Sequence, residues 1–93
     1  MTVGILQIAL MVREAHSLKE KRRVVKSLKD RLRQAFNISI AEVGSQDAWQ
    51  AADLGVAFVG TDPRFVNQVL SQVMNKIEEN PAVEVIDHQM EIL

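Results

Sequence analysis

Cysteine and tyrosine are both absent from the 93 residues, and proline occurs only twice. Without cysteine there is no disulfide framework, no thiolate nucleophile and no Cys-ligated zinc. No apolar stretch is long and uninterrupted enough to span a bilayer. The densest one, Val3 to Val12, has no basic residues before it and no small-residue cleavage site after it. It therefore reads as a buried strand rather than a signal peptide, and a cytoplasmic protein with no membrane association is expected. Neither sign of charge dominates: eleven Lys and Arg stand against twelve Asp and Glu, a net charge of -1. What remains is ordinary globular composition, 47% hydrophobic and 25% charged. It excludes a disordered chain, and the length allows one domain, residues 1–93.

The apolar residues change period along the chain. Residues 3–12 are rich in Val, Ile and Leu, which suits a central strand covered on both faces. Residues 17–36 carry Leu18, Val24, Val25, Leu28, Leu32, Ala35 and Phe36 at helical spacing. Ser17-Leu18-Lys19-Glu20 is a capping box in which the Ser17 hydroxyl accepts from the Glu20 amide and the Glu20 carboxylate reaches back to the Ser17 amide. Residues 37–44 alternate with period two, and Gly44-Ser45-Gln46-Asp47 is a turn. Residues 52–59 form another apolar strand with Leu54, Val56 and Phe58 on one face. Asp62-Pro63 begins a second helix with a stripe of Val66, Val69, Leu70, Val73 and Ile77. Asn80-Pro81 ends it, and 83–92 read as a last, more polar strand.

The order βαββαβ predicts an α+β, ferredoxin-like fold: a four-stranded antiparallel sheet with both helices on one face. The first and third strands are then central. The acids Glu84, Asp87 and Glu91 on the fourth discourage edge-to-edge pairing. The sheet's open face would hold Ile5, Gln7, Ala9, Met11, Ser39, Ala41, Val43, Gly55, Ala57 and Val59. Such a mildly apolar surface suggests a homodimer through that face.

The small net charge conceals two opposed halves. Residues 1–36 sum to +6 and residues 37–93 to -7, and eight of the eleven cations lie between Lys19 and Arg33. On a wheel of about 100° per residue, Lys19, Arg22, Arg23, Lys26, Lys29 and Arg33 fill an outward arc beside the apolar one. Lys21 and Arg31 fall outside it. Asp30 is placed to pair with Lys26 and Arg33, and Glu20 with Arg23. Each like-charge neighbour along the arc costs roughly 0.2–0.5 kcal/mol in an isolated helix. The second helix uses Asn67, Gln68, Ser71, Gln72 and Asn75 outside, so solubility alone does not require a cationic arc. Three readings stand: a solvated face offset by acids from elsewhere in the fold, a surface that tracks RNA phosphates, or a dock for an acidic protein surface.

Other candidates are weaker. His16 and His88 are the only histidines and have no ligand spacing, so no metal is expected. Ser17 is explained by capping and lacks a nucleophile-elbow context. The acids form no acid–base pair by local spacing. The four glycines make no phosphate-cradling loop, so no cofactor and no enzymatic activity are expected. Trp49 is expected to cover the end of the core with its indole N–H satisfied, in preference to stacking on a base, and Asp47 to cap that connection. An RNA-recognition motif would need aromatics on the central strands. Here the first strand has none, and Phe58 of the third falls on the helix side. Val12-Arg13-Glu14-Ala15-His16 does not supply the anion loop of acylphosphatases.

Val3-Gly4, Ser17-Leu18-Lys19-Glu20-Lys21-Arg22-Arg23, Phe36-Asn37-Ile38-Ser39-Ile40-Ala41-Glu42-Val43, Asp47-Ala48-Trp49-Gln50-Ala51-Ala52 and Gly55-Val56-Ala57 together resemble the YlxP-like family. These are small bacterial proteins of uncharacterised function. The resemblance covers nearly the whole chain. It implies a ferredoxin-like α+β fold and a ribosome-linked setting, and it brings no catalytic residues. The residues and the resemblance together lead to the expectation of a non-enzymatic accessory factor. RNA or the ribosome would contact Lys19, Arg22, Arg23, Lys26, Lys29 and Arg33. The alternative is a protein-interaction or homo-oligomerisation module with no nucleic-acid role.

Overall fold

A computed structural model describes residues 1–93. The elements are β1 (Thr2–Val12), α1 (Leu18–Ala35), β2 (Ser39–Gly44), β3 (Ala51–Gly60), α2 (Pro63–Glu78) and β4 (Val83–Ile92). The strands form one antiparallel sheet in the order β2-β3-β1-β4, so β1 and β3 are central and β2 and β4 are the edges. This is the expected ferredoxin-like arrangement. No helix is long and apolar enough to cross a membrane.

One core fills the layer between sheet and helices. Leu6, Ile8, Leu10 and Val12 of β1, with Leu54, Val56 and Phe58 of β3, meet Val25, Leu28 and Leu32 of α1 and Val66, Leu70, Val73, Met74 and Ile77 of α2. Period-two residues of the strands thus meet period-3.6 stripes of the helices. Phe58 and Phe65 stack tilted, with ring centroids 5.8 Å apart. The opposite face of the sheet carries no second layer. Ile5, Ala9 and Met11 are therefore only half-buried and Gln7 is exposed, so β1 is covered on one face rather than both.

The helix starts are built largely as expected. Ser17 Oγ accepts from the Glu20 amide at 3.1 Å, and Asp62 Oδ1 accepts from the Phe65 amide at 2.9 Å, with Pro63 following it. The Glu20 carboxylate reaches back one residue further than a capping box requires. Its Oε2 accepts from the His16 amide at 2.6 Å, so it fastens the loop ahead of α1 and makes no ion pair with Arg23.

Both edge strands are irregular. The β2–β3 register shifts between Glu42 and Gly44, and the β1–β4 register shifts between the Ala9 and Leu10 pairs, with Ile86 as the extra residue. Along β2 the Ile40 carbonyl accepts from an Arg33 guanidinium N–H at 2.9 Å, and the Glu42 carbonyl accepts from Gln46 Nε2 at 3.4 Å. Bulges and side-chain caps of this kind leave little free backbone for another strand to join.

The register also shows what the open face carries from β4. Across β1, Ile5 lies between Ala57 and Glu91, Gln7 between Gly55 and Gln89, Ala9 between Asp53 and Asp87, and Met11 between Ala51 and Glu84. The face is thus apolar toward β2 and β3, with Asp53 the one acid there, and acidic toward β4.

Gly4 is buried at the closest approach of β1 to α2, where a Cβ would collide with Val66 Cγ1 and would come within 2.7 Å of Leu70 Cδ1. Gly4→Ala is expected to destabilise the fold by about 1–3 kcal/mol through overpacking. Urea denaturation checks this, and an unchanged midpoint would place α2 further from the sheet.

Candidate nucleic-acid interface

α1 buries one stripe and presents another. Lys21, Val25, Leu28 and Leu32 form the buried stripe. Lys19, Arg22, Arg23, Lys26 and Arg33 are exposed, and Lys29 is half-buried. The one acid within the arc is Asp30. Lys26 Nζ lies 2.8 Å from its Oδ2 and Arg33 Nη1 lies 3.5 Å from its Oδ1. The Lys26 hydrogen bond, together with the charges of Lys26, Arg33 and Lys29, holds the Asp30 carboxyl below its ordinary 3.8, against a smaller opposing effect of desolvation.

Lys19, Arg22, Arg23 and Lys29 make no ion pair. No acid of residues 37–93 pairs with the arc. Glu84 lies 3.7 Å from Arg13, and Asp53 accepts from Ser45 Oγ at 2.7 Å. Only Asp30 offsets the arc, so it keeps an excess of positive charge. Arg33 has a structural bond as well, because its guanidinium also caps the Ile40 carbonyl of β2.

Lys21 has a role that a charge map of the sequence does not suggest. It occupies the first position of the buried stripe, and its side chain is 0% exposed. Nζ lies 2.6 Å from Glu42 Oε2, 2.6 Å from the Ser45 carbonyl and 3.5 Å from the Gln46 carbonyl. Two carbonyls accept from the ammonium and the Glu42 carboxylate supplies the opposite charge, which together offset its desolvation. The Glu42 contact is a charge contact off hydrogen-bond alignment, so Oε2 has no aligned donor of its own. Lys21 therefore fastens the start of α1 to β2 and to the loop that follows it.

That loop, residues 45–50, is fastened at several points. Ser45 has φ 59°, a left-handed conformation uncommon for a residue other than glycine. Bonds on both sides hold it: its carbonyl accepts from Lys21 and from the Ala48 amide at 3.1 Å, while its hydroxyl donates to Asp53. Gln50 Nε2 donates to the Ala15 carbonyl at 3.2 Å, and the Gln50 carbonyl accepts from the Val12 amide at 2.9 Å. Lys21, Gln46 and Gln50 thus do what Asp47 was expected to do.

Trp49 departs from its expected place. It is 54% exposed and lies outside the core.

His16 and His88 are both exposed, and no three His, Asp or Glu side chains gather as a metal ion would need. A shallow depression of about 410 Å³ lies on the open sheet face beside Gln7, Ala9, Asp53, Asp87 and Gln89.

A family model described as "Protein of unknown function (DUF503)" matches residues 3–90. The chain is similar to the uncharacterized protein YlxP of Bacillus subtilis (strain 168), 35% identical over 82 residues that cover 88% of this chain and 89% of that one. Among solved structures it resembles the de novo designed protein Foldit4, with TM-score 0.54 and 10% identity over 100% of this chain and 97% of that one. It also resembles a de novo designed protein with ferredoxin fold, with TM-score 0.51 and 12% identity over 98% of this chain and 85% of that one. These two likenesses bear on the fold alone.

Two outcomes follow from the geometry. Lys21→Met leaves the largely buried Glu42 carboxylate without its cation and is expected to cost about 3 kcal/mol in urea denaturation; pairing it with Glu42→Met should restore most of that. Equal stabilities for the wild type and the Lys21→Met single variant would contradict the clasp. For Asp30, a side-chain NMR titration should give a midpoint below 3.8, moving back toward it in Lys26→Ala. Because the folded pKa is depressed, this contribution is present above the unfolded value and is lost as pH falls through the folded one.

Proposed function

This chain belongs to the DUF503 family of proteins of unknown function, and from that premise we propose that it is a non-enzymatic, cytoplasmic accessory factor that binds RNA through the outward arc of α1. The observation that carries the reading is the unneutralised charge. Lys19, Arg22, Arg23 and Lys29 have no carboxylate partner although the chain carries twelve acids. The solvated-face reading needs acids from elsewhere in the fold to offset the arc, and no carboxylate outside α1 lies within ion-pair distance of it.

Phosphates suit this surface because the cations form a rod-like row along a rigid helix. Each contact releases counterions from the nucleic acid and gains free energy without reading a base. No aromatic side chain stands on the open sheet face, so base recognition in the manner of an RNA-recognition motif has no platform there. A structured RNA such as ribosomal RNA, read by its backbone shape, is the substrate class that fits.

Exposed Val43 and Val59, 62% and 57% accessible, favour a second reading in which the open sheet face docks another protein. Face-to-face pairing of two copies would bring both sets of Asp53, Asp87, Glu84 and Glu91 toward one interface, and that repulsion disfavours the homodimer.

Lys19→Glu with Arg22→Glu is the informative variant, since both side chains are exposed and unpaired and the fold should be kept. Its RNA affinity is expected to fall at least tenfold at low salt. The slope of log affinity against log salt should shrink by about 2, one for each phosphate no longer gripped. Unchanged affinity in the folded variant overturns the proposal.

A further inference from the structure

Trp49 takes no part in the core, the clasp or the cationic arc. The residue is 54% exposed, the ring takes part in no aromatic pair, and its indole N–H donates to no group of the protein. The backbone on either side of it is nonetheless hydrogen-bonded to other segments. Ser45 and Gln46 are held by the buried Lys21 ammonium, Ser45 by Asp53, and Gln50 by Ala15 and Val12. A large apolar ring left in water is unfavourable for folding. It is favourable for binding, because part of the ordering of its backbone has been met in advance.

The anchors also say where the loop sits. Ala15 lies two residues before the Ser17 N-cap of α1, and Lys21 lies in the first turn and a half of that helix. The loop therefore stands at the end of α1 that carries Lys19, Arg22 and Arg23. Within residues 45–50 the one carboxylate that would repel a phosphate is Asp47.

We propose that Trp49 is a stacking platform for an unpaired nucleobase, set beside the cationic arc so that a single-stranded segment is held by its phosphates and by one base. This rests on the RNA reading of α1 and narrows it to RNA with an unpaired loop, bulge or end next to the backbone that the arc grips. Stacking on an aromatic face is tolerant of sequence because every base presents a π-face. The free indole N–H adds one donor at the ring's edge. A base within a duplex is already stacked on its neighbours and gains nothing from Trp49.

The test uses the full chain and two probes, a mixed-sequence single strand of about twelve nucleotides and the duplex of the same sequence. Affinities are read from the anisotropy of labelled RNA, and the state of Trp49 from the emission of this sole tryptophan. The expected result is quenching by the single strand, a loss of about tenfold in single-strand affinity in Trp49→Ala, little loss in Trp49→Phe, and duplex affinity unchanged in both. Unchanged emission at saturation, or wild-type single-strand affinity in Trp49→Ala, overturns the stacking role while the phosphate reading stands. An equal loss for strand and duplex in Trp49→Ala assigns the ring a purely structural role and overturns it too. Emission that responds to chain concentration but to neither RNA makes the loop a protein contact and is likewise contrary. Failure of the unsubstituted chain to bind either probe overturns both proposals.

Discussion

The burial of one lysine ammonium governs how this molecule presents its surface. Lys21 takes the position at which the buried stripe of α1 reaches the end of the sheet, and its charge has no water to solvate it. It must be met by Glu42 and by two carbonyls of the following loop. Satisfying that one group ties together three elements distant in sequence: the start of α1, the edge strand β2, and the 45–50 loop. The ion pair need not add net stability over an apolar substitute of similar volume. Its effect is on geometry: together with Val25, Leu28 and Leu32 it fixes the helix in rotation, which turns the cations at 19, 22, 23 and 26 outward.

The same constraint divides the surface. The helix layer ends in a cationic arc with a single acid within it, and the far side of the sheet ends in the acids of β4 around a strip of small apolar residues. Four of the acids, Asp53, Glu84, Asp87 and Glu91, lie on the open face of the sheet, on the other side from α1, and do little to neutralise the arc locally. Exposed charges farther apart than about 8–10 Å are largely screened at physiological salt. A near-zero net charge is therefore compatible with strong local attraction for a polyanion.

The fold was legible in the sequence because its signals were local and repeated. Alternation in β1 and β3, a three- and four-residue spacing in both helices, and the Ser17 and Asp62 caps each specify an element without knowledge of the others. A run of Val, Ile and Leu in β1 signals burial without saying on how many sides; the βαββαβ order is what predicts the one open face. The site was legible in part. The outward arc follows from the wheel, yet the same wheel set Lys21 aside as a stray cation although it lies in line with Val25, Leu28 and Leu32. A charge at a core position of the stripe was the available signal, and its partner Glu42, on the helix-facing side of β2, lies 21 residues away. Trp49 was harder still. Exposure of an aromatic in a turn depends on where the anchors of that turn fall, and those anchors come from Ala15, Lys21 and Asp53, on three other segments. The acids on the open face became visible only through the β1–β4 register and its bulge.

An RNA-binding surface built on α1 and the adjoining loop makes a spatial claim that amide NMR can map directly. With a structured RNA carrying an unpaired loop, shift changes are predicted along the exposed positions of α1 from Lys19 to Arg33 and through residues 45–50, with the open-face positions of β4 and β3 unaffected. Changes concentrated instead at Asp53, Asp87, Gln89 and Glu91, with α1 silent, would be incompatible with an RNA surface on that helix.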